Sequence, residues 1–512
     1  MISRSLDDHL PSSSTAPHPL QRNLAPHLHP FQKPREYTRA MTAVKIDRMF
    51  AKPFVDALGG HQDGVYCLGK DPRRVAVVAG GGGDGEVIVH SLALRRPLLK
   101  IPNAHKGMVG GICWTSEAKD GKRGMITAGK LDGTIKIWRS KLFAPGLKDD
   151  ESFIGNEFAS GNRLESMDNL DNAGAIGENG FDLNENEDDG DEEVGGGLTM
   201  DFKKRDRLGE NLEPTMTYTS KNGFNGIDHH RQDNIFSTAS NTVQIWDENR
   251  SNPLSTLQFG NSLETVTKVK FNQSETSVLA SVGNDRTMCL YDIRTGKAER
   301  RIVMQFLSND LSWCPTLPTT MLLASEDHNL YTFDIRNLNS PSQIYKGHVG
   351  GVMGCDWSPT GEEFVSGSYD RTIRLWNRES GKSRDVYHTK RMQRVFDVTY
   401  TPTADFVLSA SDDGNVRIWK SNASKKLGPV STKERQSIEH RQKLIERYSA
   451  EKGVRSVKER RHVPQSIHNA TKLKREMIES RKVKEDRRRD HSRKGRDKPK
   501  AERKKTVIVE QK

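Results

Sequence analysis

The chain has 512 residues, a formal charge of +12, a hydrophobic content of 33% and a mean hydropathy of −0.75. This length allows a large core plus further regions. No run of 18 apolar residues exists to cross a membrane as a helix, and the N-terminus has no continuous apolar stretch of the secretory kind. Five cysteines, Cys67, Cys113, Cys289, Cys314 and Cys355, are scattered without CxxC spacing. That pattern argues against a zinc site and fits free thiols in a reducing compartment.

In chain order, residues 1–34 are rich in Ser, Pro and His and read as a flexible leader. Residues 35–55, in REYTRAMTAVKIDRMFAKPF, mix basic and apolar side chains. They are expected to pack on the following domain and close it at its first unit. From 56 to 420 the sequence alternates short apolar runs with Gly, Pro and Asp punctuation, the pattern of antiparallel strands. The best-preserved unit is GHVGGVMGCDWSPTGEEFVSGSYDRTIRLW, Gly347 to Trp376. Its closing strand has counterparts ending at His90, Trp138, Trp246, Tyr291, Phe333 and Trp419. From Trp246 onward the spacings are 45, 42, 43 and 43 residues.

A period of about 40–45 with GH and WD signatures is that of the four-stranded WD40 blade. Seven units give an all-β, seven-bladed WD40 propeller. In the opening unit, His348, Ser366, Asp370 and Trp376 are expected to form a hydrogen-bonded chain that keeps buried polar groups paired. His105, Asp132 and Trp138 occupy the same places in the second unit. Because the set repeats with the blade, it reads as structural rather than catalytic. Gly80 to Gly83 precede a strand, not a helix, and read as a turn rather than a phosphate cradle.

Only the step from Trp138 to Trp246, 108 residues, breaks the period. Residues 145–210 carry 19 acidic and 6 basic residues, with few aromatics, and read as a disordered acidic insertion. It is either a solvated spacer or an acidic arm that meets basic partners. Residues 421–512 are the reverse, with 30 Lys/Arg against 13 Asp/Glu. Lys433–Lys452 and Asn469–Arg489 read as helices separated by HVPQSI, and the final TVIVEQK reads as a strand able to add to a partner's sheet edge. Arg460, Arg461, Lys472, Lys474, Arg475, Arg481, Lys482, Lys484, Arg487, Arg488 and Arg489 are candidate contacts to RNA or ribonucleoprotein. Such contacts give affinity without sequence readout. A targeting signal and a solvated helix face are the alternatives. With Tyr448 the only tail aromatic, base stacking is disfavoured.

Two strand ends read YDIR and FDIR, placing Asp292 with Arg294 and Asp334 with Arg336 at one rim, either as intra-blade pairs or as forks for a partner. No P-loop, metal cluster or nucleophile–base set stands outside the repeat framework. The expectation is a non-enzymatic protein without cofactor or metal.

The FAKPF block, the seven units and the tail with KKLGPVSTKERQ and RHVPQSI together resemble the nucleolar WD-repeat proteins of the small-subunit processome that carry a Sof-one-like basic C-terminal domain. The resemblance implies a nuclear, nucleolar scaffold that works with small nucleolar ribonucleoproteins and pre-rRNA in 18S rRNA maturation. The same family is similar to WD-repeat substrate receptors of cullin–RING ubiquitin ligases. There, W-D-x-R boxes dock on the ligase adaptor, and Asp292, Arg294, Asp334 and Arg336 match those boxes.

Overall fold

The computed structural model describes residues 30–115, 124–139, 212–259, 265–493, 498 and 500–511. Residues 1–29 of the expected leader and all of the expected acidic insertion, 145–210, lie outside them.

Helix α1 (Gln32–Met49) leads into strand β1 (Phe54–Leu58). Seven antiparallel sheets follow, six of them built on four strands consecutive in the chain. Blade one is β2 (Val65–Lys70), β3 (Val77–Gly82), β4 (Val87–Ser91) and β5 (Arg96–Ile101). Blade two is β6 (Val109–Trp114), β7 (Met125–Gly129), β8 (Thr134–Trp138) and β9 (Met216–Thr219). Blade three is β10 (Gly226–His229), β11 (Ile235–Ala239), β12 (Val243–Asp247) and β13 (Ser255–Leu257). Blade four is β14 (Val266–Phe271), β15 (Val278–Gly283), β16 (Thr287–Asp292) and β17 (Lys297–Met304). Blade five is β18 (Ser308–Trp313), β19 (Thr320–Ser325), β20 (Asn329–Asp334) and β21 (Gln343–Lys346). Blade six is β22 (Val352–Trp357), β23 (Glu363–Ser368), β24 (Ile373–Asn377) and β25 (Ser383–Tyr387). Blade seven is β26 (Val395–Tyr400), β27 (Phe406–Ser411) and β28 (Val416–Lys420), with β1 as its outer strand.

The seven strand ends that recur in the sequence all fall on the third strand of a blade. The acidic insertion therefore separates the third and fourth strands of blade two. Strand β1 pairs antiparallel with β28, Phe54 opposite Trp419 and Leu58 opposite Val416. The ring is thus closed at its last blade rather than at its first, as the sequence had led us to expect. The reason is a shortage: blade seven has three strands of its own, and the edge of β28 needs a partner.

The core lies between neighbouring sheets. Trp376, Phe364, Trp357 and Val352 of blade six pack with Leu322, Leu330 and Tyr345 of blade five. Trp376, fully buried, also holds the polar chain of its blade. His348 Nδ1 lies 2.9 Å from Asp370 Oδ2, its Nε2 lies 2.7 Å from Ser366 Oγ, and Trp376 Nε1 donates to the same hydroxyl at 2.8 Å. Blade two repeats this with His105, Asp132 and Trp138, the hydroxyl coming from Thr127. In blade seven Arg417 pairs with Asp413 where the histidine is missing, and Trp419 donates to Ser409. In blade four Tyr291 takes the tryptophan's place and meets Ser281.

Blade one departs from this design. Gly80 pairs with Ile88 as Ser366 pairs with Arg374, so a glycine stands where the hydroxyl belongs. His61 and His90, in the histidine and tryptophan places, are buried with no hydrogen-bond partner for either ring, 6.1 Å apart between centroids. The reading of Gly80–Gly83 as a turn is also corrected. Gly80 to Gly82 are strand residues of β3, and packing crowds out a side chain at Gly81, where a Cβ would lie 2.6 Å from Cys67 Sγ and 2.9 Å from Val109 Cβ. The turn follows, at Gly85, where φ is +87°.

Burial lowers the imidazole of His61 to about 4 and that of His90 to about 3. Both folded values lie below the ordinary unfolded value, so the unfolded chain binds more protons as pH falls. Their neutral forms cost nothing in this respect above about pH 6.5, and stability is lost as pH drops from there toward the folded values. Phe333 fills the same place in blade five, so His90→Phe is a shape-compatible change. We expect this variant to lose about 2 kcal/mol less stability than the wild type between pH 7 and pH 5. Urea unfolding at the two pH values measures the difference.

Candidate partner interfaces at the rim and the tail

In each antiparallel blade, successive turns alternate between the two rims of the ring. Asp292 ends β16 and Asp334 ends β20, so both Asp-x-Arg turns share the rim formed by the first and third turns of the blades. Asp292 Oδ1 accepts the Arg294 backbone N–H at 2.9 Å, and Asp334 Oδ1 accepts that of Arg336 at 3.0 Å. These aspartates shape the turn. Asp247 and Asn377 do the same in blades three and six, for Asn249 and Glu379. What distinguishes blades four and five is therefore the arginine.

The Arg294 side chain is 78% exposed, 3.4 Å from Asp292. A pair this exposed stabilises little, and the guanidinium stays available. Arg336 is exposed as well. Tyr291 and Phe333 point into the core and present no aromatic surface.

The channel along the ring axis, about 900 Å³, holds charges that the sequence reading did not single out. Asp228, Asp310, Asp356 and Asp397 lie on the innermost strands of blades three, five, six and seven. Each accepts a backbone N–H from the next blade: Phe271, Cys355, Tyr400 and Leu68. Lys70 also reaches Asp356 at 2.5 Å and Lys270 approaches Asp228 at 3.5 Å. Burial raises the Asp310 carboxyl to about 6. Aligning the innermost strands of the repeats would have placed Asp310 with Asp397 and Asp228 with Asp356 at two positions two residues apart. All five cysteines are buried, and burial pushes the Cys67 thiol up to about 12, far from a reactive thiolate.

The tail holds α2 (Thr432–Arg447), α3 (Lys452–Lys458), α4 (Gln465–Asp490), α5 (Glu502–Thr506) and β29 (Val507–Gln511). The Ser431 side chain caps α2 by accepting the Glu434 N–H. Pro464 precedes α4, where its missing N–H costs nothing. The N-terminal segment packs mainly on this tail. Ala40, Ala43 and Val44 of α1 form a small core with Leu444, Ile445 and Val454. Tyr448, the lone tail aromatic, is engaged here: its hydroxyl donates to buried Glu36 at 3.0 Å and its ring meets Tyr37 edge-on. Gly453 lets the Tyr37 hydroxyl approach closely: a Cβ there would lie 2.2 Å from it. Arg48 ties α1 to blade six through Asp385 at 3.0 Å.

The closing strand also differs from expectation. Strand β29 adds antiparallel to β17, the outer strand of blade four in the same chain, rather than to a partner. Lys346 binds Glu502 at 2.5 Å just before it. The backbone edge of β17 accepts any strand, and the tethered one is the most concentrated.

The basic candidates divide into two groups. Arg461 donates to the Ser383 carbonyl at 2.9 Å, and Lys474 to the His348 carbonyl at 3.1 Å. Burial lowers the pKa of both. These two hold the tail against the ring, which makes them anchors rather than open contacts. Arg489 pairs with Asp486 at 2.9 Å. Arg460, Lys472, Arg475, Arg481, Lys482, Lys484, Arg487 and Arg488 are exposed. Among the described residues no cluster of three or more His, Cys, Asp or Glu is placed to hold a metal ion, and no helix is long and apolar enough to cross a membrane.

A seven-bladed propeller carrying a basic helical tail bound back onto its own blades defines the class: a WD-repeat protein with a dedicated C-terminal extension. Residues 421–507 match the Sof1-like domain, and residues 339–377 and 383–420 match the WD domain, G-beta repeat. Protein SOF1 of Saccharomyces cerevisiae is 35% identical over 92% of this chain and 87% of its own length. DDB1- and CUL4-associated factor 13 of Xenopus tropicalis is 35% identical over 99% of this chain and 98% of its own, and that of Dictyostelium discoideum is 36% identical over 93% and 92%. The chain belongs to this family of Sof1-like WD-repeat proteins.

If Arg461 and Lys474 are anchors, Arg461→Ala with Lys474→Ala should speed tryptic cleavage within residues 459–490 several-fold while the propeller fragment stays intact. Limited proteolysis with mapping of the cut sites reads this out. Unchanged cleavage would assign the two side chains no anchoring role.

Proposed function

We propose that this protein is a non-enzymatic scaffold of the small-subunit processome, acting in pre-rRNA processing to 18S rRNA and in small ribosomal subunit assembly in the nucleolus. The propeller is the protein-binding platform, and the tail faces pre-rRNA or small nucleolar ribonucleoprotein. One observation carries this reading: a 26-residue cationic helix, α4, is anchored to the ring in its first half through Lys474 and exposed along most of its length. Such a helix supplies phosphate contacts from a fixed position. The family resemblance supplies the particular assembly.

Cutting off residues 421–512 is a poor test, because it would strip α1 of its packing partners and β17 of its neighbour. Depletion with rescue by the full chain is cleaner. Depletion should lower mature 18S rRNA and spare the large-subunit rRNA, and ultraviolet crosslinking of the rescuing chain should recover pre-rRNA or small nucleolar RNA. Normal 18S maturation without the protein would refute the reading.

A second reading is a substrate receptor of a cullin–RING ligase. It is supported by the exposed Arg294 and Arg336 on adjacent blades at one rim, and by the relatives whose names state association with DDB1 and CUL4. Both arginines are outside the core, so Arg294→Ala with Arg336→Ala should leave the fold intact. The double variant should lose at least tenfold in co-purified adaptor while processome association is retained. Undiminished adaptor recovery would remove these residues from the interface.

A further inference from the structure

Helix α4 is not uniformly basic. At about 100° per residue, Leu473, Met477, Ser480, Arg481, Lys484, Arg487 and Arg488 fall within one arc of about 120°, all exposed. Their spacing of four and three residues keeps them in line along the helix. No carboxylate lies on this arc. Glu476, Glu479, Glu485, Asp486 and Asp490 all fall on the rest of the circumference. Lys474, which binds the His348 carbonyl, marks the side turned to the ring and borders the arc. Glu485 lies on the other flank of Lys474, 3.7 Å from Lys505.

Helix stability accounts for part of this. Cations in the last turn complement the helix dipole, which covers Arg487 and Arg488. It does not cover Arg481 and Lys484, about two and a half and about one and a half turns before that end, or the exclusion of all five acids from a single side. A helix held only by its own charge pairs would mix acids and bases around its surface.

We propose that the acid-free stripe of α4 is the surface that binds double-helical RNA, along its phosphate backbone. This rests on the reading of the tail as the RNA-facing part and assigns it to one face. The stripe presents cations over about 10 Å, from Arg481 to Arg488, on a rigid element. Recognition by shape and phosphate, rather than by sequence, is the mode open to it. Single-stranded RNA is disfavoured, since no aromatic lies on α4 and Tyr448 is packed against Tyr37. An acidic protein segment is the competing occupant. It is disfavoured because the cationic half of the stripe, from Ser480 to Arg488, carries no apolar side chain for a protein core to grip.

The test uses the full chain and a 20-base-pair RNA hairpin as probe. Arg481→Gln, Lys484→Gln and Arg487→Gln remove three charges from the stripe. Lys472→Gln, Arg475→Gln and Lys482→Gln remove three charges from the other side and serve as the matched control. Circular dichroism confirms that both keep their helix. The stripe variant should bind the hairpin at least tenfold more weakly, with the salt dependence of log K reduced by about 2–3. The control should lose less than threefold. Equal losses would show diffuse attraction and overturn the assignment of a face. Unchanged hairpin affinity in the stripe variant, with loss of a co-purified protein instead, would overturn RNA as the occupant. In both cases, wild-type crosslinks to pre-rRNA elsewhere in the tail would leave the broader reading standing. Absence of any crosslink would refute that reading first.

Discussion

The structure depends on one strand pairing. Seven blades arranged in a ring need a bond between the last and the first, and here the chain supplies it by placing residues from before blade one onto the edge of blade seven, β1 against β28. Without that pairing two sheet edges and the core between blades one and seven, around Leu58, Val65, Val78, Val416 and Ile418, would open to water. The pairing also decides where everything attached to it goes. Helix α1 is held at the outer side of blades six and seven, and the tail, which packs on α1, is carried with it. Strand β29 then fastens the far end of the tail to blade four. The basic extension is therefore built into the ring from both directions rather than hanging from it.

Around the ring most buried polar groups are paired, whereas both imidazoles of blade one are left without a hydrogen bond. The His–hydroxyl–Trp chain in blades two and six, and the channel aspartates that reach across to the next blade, join strands within and between sheets. In blade one Gly80 stands where the hydroxyl would be, and two neutral imidazoles remain without hydrogen bonds.

Much of this was legible in the sequence, for a physical reason. Blade length, with turns set between largely buried strands, imposes a period, and seven closing strands fell on third strands even where His90, Tyr291 and Phe333 replace tryptophan. The polar set of blade six was readable because its residues have fixed spacings. What was not readable depends on pairings distant in sequence. The choice of β28 as the partner of β1, of β17 as the partner of β29, and of α1 as the partner of α2 and α3 is set by three-dimensional proximity. The same limit applies to the tail. A count of cations placed Arg461 and Lys474 with Arg481 and Lys484, while the geometry separates anchors from open side chains.

Strands β1 and β29, from the two flanks of the blades, are structural parts of the ring. Hydrogen exchange of the intact protein, resolved by peptide, tests this most directly. Backbone amides of β1 and β28 should show matching protection, within about tenfold of β24 in blade six, and β29 should be protected together with β17. Exchange of β1 and β29 at the rate of unstructured chain, with the blades still protected, would contradict the account.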